Sequence, residues 1–235
     1  MLSAVYGPGI FNSVLAIGIF NIPVPLPEQV KPEVQNNLGI LRHIGFLKLK
    51  KSPAIYSDVN IRTKIDKLLV KMNYRQELPL ILVKPGTRLE KWGWRLDKFK
   101  KLCNELIKTQ TKEVLIICGP GEEKITMTIQ TNHAPKSFPT LSLRELAYLI
   151  EKADLLICNH TGIMHLASAM KTPVLAIFKH GDPKRWGPYD TPHIILDERN
   201  HDGLTSETVF GKAQELLATC KNNRSHKNLL NKDNI

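Results

Sequence analysis

With 235 residues, of which 42% are apolar, the sequence can form one large domain with a sizeable core, or one domain and part of another. Its four cysteines lie far apart and none forms a CxxC pair, which argues against a zinc site or a disulfide framework and favours reduced, buried thiols. The net charge of +11 suits an anionic partner, such as a nucleic acid, a membrane surface or a phosphorylated substrate, and equally suits solvated lysine-rich helix faces.

The N-terminal stretch is not expected to be a targeting or membrane-spanning segment. Residues 10–27 are apolar, but asparagines and three prolines interrupt them. This run falls short of the roughly 20 uninterrupted apolar residues that a spanning helix needs, and no basic signal-peptide region precedes it. We therefore expect a soluble, cytoplasmic protein. Within residues 1–78 the pattern predicts one helix, at 33–45, and a lysine-rich connector, but no complete domain.

From residue 79 onward, short apolar runs alternate with helical patterns. The runs predict strands at 79–84, 113–119, 154–158, 173–178 and 193–196, and the helical patterns lie at 97–108, 122–130, 142–152, 163–170 and 206–220. Ser142 and Glu145 have the spacing of a capping box at the start of one helix. This alternation predicts a Rossmann-like, doubly wound α/β domain with a parallel sheet over residues 79–220. Residues 221–235 are expected to form a flexible basic tail.

Three glycine-containing stretches follow strands of this predicted sheet. They are KPGTRLEKWGW (84–94), GPGEE (119–123) and NHTGIMH (159–165). Ligands of parallel α/β sheets bind beyond the carboxyl ends of the strands, where a glycine lets the backbone approach a phosphate and a helix start favours an anion. The three loops therefore predict a site for the phosphates and sugar of a nucleotide-sugar.

Individual side chains have expected roles in this site. Thr161 and Gly162 would donate a hydroxyl and an amide to a diphosphate, and His165 would face it from the first helical turn. Arg88 and Lys91 would add positive charge from the opposing loop. Contacts to the nucleoside are expected from Glu122 or Glu123, either of which could accept from a ribose or a base, and from the neighbouring Gly119 and Pro120.

Each of these signals is weak when taken singly. The GPGEE stretch is typical of an ordinary strand-end turn, a histidine on a short helix is often structural, and Trp92 and Trp94 could be packing residues. The sequence contains neither GxxxxGK[ST] nor GxGxxG, which argues against an NTPase P-loop and a dinucleotide fingerprint. What favours a binding site is that all three loops occupy the same edge of one sheet.

Residues 142–188, SLRELAYLIEKADLLICNHTGIMHLASAMKTPVLAIFKHGDPKRWGP, resemble the donor-binding domain of the lipopolysaccharide heptosyltransferases, glycosyltransferase family 9. The resemblance extends over about residues 79–197 and more weakly upstream of them. It implies a GT-B enzyme with two Rossmann-like domains and no metal or cofactor requirement. The donor would be ADP-heptose and the acceptor the inner core of lipopolysaccharide. The enzyme would then work at the inner face of the cytoplasmic membrane, where a basic surface suits anionic lipids.

The family's donor-binding motifs match particular positions of this sequence. They fall on Thr161, Gly162 and His165, and the TRLEK segment, following Gly86, reproduces the family's spacing from Thr87 to a diphosphate-binding lysine at Lys91. One departure is His160, which stands where the family has an aspartate that accepts from sugar hydroxyls. Another is the KWGW segment, which has one residue more than the family before Trp94.

A third departure concerns catalysis. The family carries a Gly-Asp near its first helix whose aspartate is the proposed general base, whereas the only Gly-Asp here is at 181–182, toward the other end. We therefore assign no catalytic residue. Residues 1–78 are interpreted as a remnant of the N-terminal acceptor domain with its connector. The chain is then expected to bind the donor but not to transfer efficiently unless a companion chain completes it, and a chain that is competent as it stands is the alternative.

Several alternatives stay open. The chain could be a nucleotide-sugar-binding module or a non-catalytic remnant, as His160 and the missing half both suggest. A nucleic-acid-binding protein is disfavoured, because few aromatic residues interleave with the basic stretch. A nucleotide-sugar epimerase would share the fold, but its additional acidic and histidine residues are not evident.

Overall fold

The computed structural model describes residues 29–46, 48, 55–129, 136–199 and 203–220 with their side chains, together with the backbone of two short N-terminal strands and of the last helix. The chain divides into two compact units. The first comprises residues 1–52 and 184–186, and the second comprises residues 53–183 and 187–235.

The elements follow one another in a regular order. In chain order they are β1 (Ala4–Val5), β2 (Ile22–Pro23), α1 (Glu33–His43), α2 (Val59–Lys71), β3 (Leu80–Lys84), a 3-10 turn (Glu90–Trp92), α3 (Leu96–Lys108), β4 (Glu113–Ile116), α4 (Glu123–Ile129), β5 (Lys136–Ser137), α5 (Leu143–Lys152), β6 (Leu155–Asn159), α6 (Gly162–Ala169), β7 (Val174–Phe178), α7 (Pro183–Trp186), β8 (His193–Asp197) and α8 (Ser206–Leu230).

Within the first unit, β1 and β2 form a two-stranded parallel pair. The helix predicted at 33–45 is confirmed by α1, which ends two residues earlier than predicted, at His43. The helix stops where Gly45 takes a positive φ of 98°, a conformation that glycine adopts without steric cost.

The second unit contains a six-stranded parallel sheet with the order β5-β4-β3-β6-β7-β8. This confirms the predicted parallel α/β sheet, and every strand and helix predicted between residues 79 and 220 is present. Besides the 3-10 turn and the four-residue α7, two elements of this unit were not predicted. One is the two-residue edge strand β5, which is too short to leave a pattern. The other is α2, whose apolar Ile65 and Leu69 lie among lysines and are nevertheless buried.

The sheet is covered on both faces. Leu82 and Val83 point to opposite faces because side chains alternate along a strand, and both are fully buried. β3, β6 and β7 are buried along their whole lengths, which explains their continuous apolar sequences. One layer of the core contains the apolar faces of α3 and α8. Trp94 is buried within it, so for this residue the packing interpretation is correct.

Local signals in the sequence have their expected structural results. Ser142 caps α5 by accepting from the Glu145 N–H, while the Glu145 carboxylate accepts from the Ser142 N–H, which completes the predicted capping box. All four cysteines are free thiols, of which Cys118 is only partly buried and the other three are buried as expected. Burial raises the pKa of Cys103 and of Cys158 to about 12.

The predicted domain boundaries stay predictions. The compact unit that contains the sheet begins ahead of residue 79 and includes α2. The predicted flexible tail, 221–235, lies outside the residues with described side chains, although the backbone of α8 extends to Leu230.

Candidate active site

The crevice of the sheet lies between β3 and β6. The chain passes from β3 to β4 on one side and later returns to β6 on the other side, so the strand order reverses at this point. In open parallel sheets, ligands bind at such a reversal, beyond the carboxyl ends of the strands. Here those ends are Lys84 and Asn159, and both are buried polar residues.

Asn159 holds the loop that follows β3. Its Oδ1 accepts from the Trp94 N–H at 2.9 Å, and its Nδ2 donates to the Pro85 carbonyl oxygen at 2.6 Å. One buried amide therefore binds both ends of the loop 85–94 and fixes it against the end of β6. Asn159 has no role among the predictions from sequence, although a polar residue at the end of an apolar strand was the available signal.

A cavity of about 390 Å³ lies beyond these two strand ends. Its lining comes from the loops after β3, β4, β6 and β7 and consists of Lys84, Gly86, Thr87, Arg88, Trp92, Glu122, His160, Thr161, Gly162, Ile163 and His180. The structure thus brings together most of the residues that the sequence predicted on separate loops. Lys84, Trp92, Ile163 and His180 are lining residues that the sequence did not predict as site residues.

A larger cavity of about 1050 Å³ adjoins the first and shares Gly86 and Thr87 with it. Lys91 lines this second cavity, together with Lys124 and Lys179. The predicted diphosphate-binding lysine therefore lines the adjoining cavity and not the one that Thr161 and Gly162 line.

The remaining predicted residues lie at the edges of this region. His165 is half-buried on α6, and burial, followed by the nearby His160, lowers its pKa. Gly119 donates its N–H to a Glu122 carboxylate oxygen, while Pro120 is exposed. These three residues are not part of the lining of either cavity.

The first cavity has an ion pair among its lining residues. The Lys84 Nζ lies 2.8 Å and 2.7 Å from the two carboxylate oxygens of Glu122. Gly86 lies directly beside this pair: a Cβ at that position would lie 2.3 Å from Glu122 Oε1, so the carboxylate would have to move. The pair is 38 residues apart in the sequence, and no local pattern predicts it.

His160 is held in one orientation by three neighbours. Its ring stacks on Phe178 with a centroid distance of 4.5 Å, and its Nδ1 lies 2.9 Å from the His180 carbonyl oxygen. On the third side is Gly181, with φ of 80°, where an added Cβ would lie 2.7 Å from the ring.

Burial and the neighbouring His180 act on the protonation of His160. Burial, which disfavours the charged form, is the largest influence and lowers the pKa of His160; the bond to the His180 carbonyl oxygen opposes this effect, and the nearby His180 ring adds to it. A carbonyl oxygen only accepts, so Nδ1 carries the proton and Nε2 of the neutral ring has an available lone pair. At the cavity wall His160 therefore offers a single uncharged acceptor.

Thr161 and α6 provide hydrogen-bonding capacity at the cavity wall. Thr161 is the N-cap of α6, but its side chain makes no capping bond. Its Oγ1 is buried and has no hydrogen-bond partner among the described residues. A buried hydroxyl without a partner is costly, and a helix start favours an anion, so this corner can bind a polar, anionic group.

Trp92 and His180 connect two loops at the cavity. Their rings stack at 4.3 Å with an interplanar angle of 6°, which joins the loop after β3 to the loop after β7. Trp92 is half-buried and lines the cavity. Unlike Trp94, it is therefore not only a core packing residue.

Within the described ranges, no cluster of three or more histidine, cysteine, aspartate or glutamate side chains has the geometry to hold a metal ion. The expectation that no metal is needed stays a prediction. No helix in the described part of the chain is both long enough and apolar enough to cross a bilayer.

Comparison with solved structures identifies related folds. A glycosyl transferase family 9 protein from Veillonella parvula DSM 2008 superposes with a TM-score of 0.77 at 19% identity, over 88% of this chain and 66% of that chain. The E. coli ADP-heptose lps heptosyltransferase II superposes with a TM-score of 0.70 at 15% identity, over 88% and 68%. At these identities the similarity establishes the fold alone.

Comparison of sequences establishes the family. Lipopolysaccharide heptosyltransferase 3 of Escherichia coli (strain K12) is 27% identical over 172 residues, which are 69% of this chain and 48% of that protein. The chain spans about half the length of the curated relatives it matches. The model of glycosyltransferase family 9 (heptosyltransferase) matches residues 19–213. The chain therefore belongs to glycosyltransferase family 9, the heptosyltransferases.

Proposed function

We propose that this protein binds an ADP-sugar in the crevice between β3 and β6 and is the donor-binding part of a heptosyltransferase that transfers heptose to the lipopolysaccharide inner core. The observation that carries the proposal is the common cavity. The loops after β3, β4 and β6, which the sequence predicted to contact the donor, line this cavity together. The names of two relatives supply the donor and acceptor classes.

The diphosphate is assigned to the corner where the two cavities meet. On one side lie the Thr161 Oγ1 and the first amides of α6, and on the other side lies Lys91. Gly86 and Thr87 line both cavities, so a diphosphate there would reach donors on both sides. Arg88 adds a further positive charge.

We assign one hydrogen-bond acceptor to the ribose of the donor and another to its transferred sugar. Glu122, beside Gly119 and Pro120, would accept from a ribose hydroxyl. His160 would accept from a sugar hydroxyl through Nε2. A single neutral acceptor binds fewer hydroxyls than the family's carboxylate, so we expect weaker discrimination among donor sugars.

Transfer also requires a base within hydrogen-bond reach of the acceptor hydroxyl. We assign that base to an acceptor-binding domain, carried by the same polypeptide or by a companion chain. In this proposal residues 79–220 form the donor domain, α2 is an added helix of that domain, and the rest of residues 1–78 belongs to the acceptor side. The basic surface and the tail 221–235 would favour a position at the inner membrane surface, and no metal participates.

Calorimetry and thermal unfolding with ADP and ADP-heptose test donor binding. A ligand that binds only the folded protein stabilises it, by about 2.7 kcal/mol at a concentration of 100 Kd. Lys91→Gln should weaken ADP binding by roughly tenfold, as expected for one charge-assisted hydrogen bond. Lys108→Gln removes the same charge from an exposed position at the end of α3 and should leave binding unchanged. Absence of any shift at millimolar ADP would refute the proposal.

A second candidate is a module that binds the donor without transferring it. His160 favours this alternative, because the acceptor carboxylate of the family is replaced. Incubation with ADP-heptose, lipopolysaccharide core acceptor and a supplied acceptor domain of a relative separates the two. Release of ADP that depends on the acceptor supports the transferase, whereas tight ADP-heptose binding without release supports the module.

A further inference from the structure

The Lys84 ammonium group has no hydrogen-bond donor left for a ligand. Its Nζ is within hydrogen-bond distance of both Glu122 carboxylate oxygens and of the Gly86 carbonyl oxygen, the last at 3.2 Å. An ammonium group has three N–H donors, so these three acceptors account for all of them. Lys84 is also almost completely buried, with 6% of its surface exposed.

The Glu122 carboxylate keeps one acceptor position. It offers about four lone-pair positions. Lys84 takes one on Oε1 and one on Oε2, and the Gly119 N–H, at 2.6 Å, takes a second on Oε2. The remaining position is on Oε1, and Glu122 lines the cavity. A ligand can therefore present one hydroxyl donor to this carboxylate.

From this geometry we infer that Lys84 is a positioning residue for the donor, acting through Glu122. It neutralises the carboxylate beside the anionic diphosphate site and orients it so that Oε1 accepts from one ribose hydroxyl. The inference rests on the proposed function, since it takes the ligand to be an ADP-sugar. It adds a residue that no sequence pattern indicated, and it predicts recognition of one hydroxyl rather than of both.

Burial and the close packing of Gly86 favour this positioning role over direct binding of a phosphate by Lys84. A lysine at the carboxyl end of a strand would ordinarily be taken as a phosphate ligand. Here Gly86 packs directly against the ion pair, since a Cβ at that position would lie within 2.6 Å of all three carboxylate atoms of Glu122. Lys84 reaches a phosphate only if it leaves Glu122, and that would place an unpaired carboxylate beside the diphosphate.

The test compares nucleotides that differ only in their ribose hydroxyls. Affinities of ADP, 2′-deoxy-ADP, 3′-deoxy-ADP and 2′,3′-dideoxy-ADP are measured by calorimetry for the wild type, Lys84→Met and Glu122→Gln. For the wild type we expect one deoxy nucleotide to bind on the order of tenfold more weakly than ADP and the other to bind like ADP, because one charge-assisted hydrogen bond is lost. In both variants this ratio should fall to about twofold or less.

The two variants control for each other. Glu122→Gln keeps an acceptor for Lys84 and removes only the carboxylate charge, so it reports on hydroxyl recognition if Lys84→Met unfolds more easily. A structural or phosphate-binding role for Lys84 would lower the affinities of all four nucleotides equally and leave the ratio unchanged, which would overturn the inference. Equal losses with both deoxy nucleotides in the wild type would overturn recognition of a single hydroxyl. Failure of the wild type to bind ADP would instead refute the proposed function itself.

Discussion

The Nδ1 atom of His160 donates its hydrogen to the backbone carbonyl oxygen of His180, 2.9 Å away. The bond joins the loop after β6 to the loop after β7 at the cavity wall. Because it fixes the tautomer, the ring meets the cavity as a neutral acceptor. A charged ring would keep this bond but lose the Nε2 lone pair, so the state of His160 links pH both to folding and to the proposed donor contact.

Folding stability should therefore rise with pH through the histidine range. The pKa of His160 and that of His165 are both lowered from 6.5, first by burial. Between pH 6.5 and the lowered pKa values, the unfolded chain thus binds more protons than the folded one. The contribution of these histidines to stability is therefore complete above pH 6.5 and is lost as the pH falls through that interval. Urea unfolding at several pH values measures it.

Two histidine variants identify which side chain causes this change of the unfolding free energy with pH. His160→Asn should reduce the pH dependence of the unfolding free energy, whereas the same substitution at His193, on the edge strand β8, serves as the control. A slope that is unchanged in His160→Asn would contradict the assignment.

Thr161→Val should separate stability from binding. The Thr161 hydroxyl is buried without a partner in the described part of the protein, so its removal should leave stability unchanged or raise it by up to about 1 kcal/mol. ADP affinity should fall roughly tenfold, because the proposed phosphate contact is lost. Thermal unfolding and calorimetry measure the two effects.

The matched control for this prediction is Thr172→Val. The Thr172 Oγ1 donates to the Ile150 carbonyl oxygen at 2.6 Å. This variant should lose about 1 kcal/mol of stability and keep its ADP affinity. Loss of stability with Thr161→Val, or equal ADP affinity in the wild type and that variant, would be inconsistent with the assigned role.

Gly86→Ala should disturb the Lys84–Glu122 pair without requiring a new backbone conformation. The added Cβ would lie 2.3–2.6 Å from the Glu122 carboxylate, which must move away. We expect ADP binding to weaken on the order of tenfold, as for a lost charged hydrogen bond. Gly211→Ala, within α8 and with no atom within 4 Å of the new Cβ, should instead stabilise the protein by about 0.5–1 kcal/mol. Equal ADP affinity in Gly86→Ala and the wild type would contradict the prediction.

Asn159→Ala should release the loop 85–94. The variant leaves the Trp94 N–H and the Pro85 carbonyl oxygen without their shared partner, at a cost of about 1–3 kcal/mol for each group left unsatisfied. We expect both lower stability and weaker ADP binding, measured by urea unfolding and calorimetry. Asn159→Asp keeps the acceptor for Trp94 but loses the donor for Pro85, so its binding should be intermediate. A destabilised Asn159→Ala that binds ADP normally would show that the loop does not position the donor.

The sequence by itself determined the main strands and helices of the sheet domain and the edge of the sheet where the site lies. Apolar runs such as 154–158 predicted strands buried on both faces, and the Ser142–Glu145 pair predicted the start of α5, because periodicity and capping depend on residues within a few positions of one another. The carboxyl ends of parallel strands share one edge, so the sequence pattern alone was sufficient to predict that Gly86, Glu122 and Thr161 lie near one another.

Only the tertiary structure decided which side chains meet at that edge. The Lys84–Glu122 pair, the Asn159 bonds to Pro85 and Trp94, and the His160–His180 contact depend on strand register and loop course. The position of Lys91 in the adjoining cavity depends on them as well. Such contacts join residues separated by 20 to 74 positions, and hydrogen bonds require donor and acceptor to lie within a few tenths of an ångström of their optimal distance. Local sequence patterns carry no information at that precision.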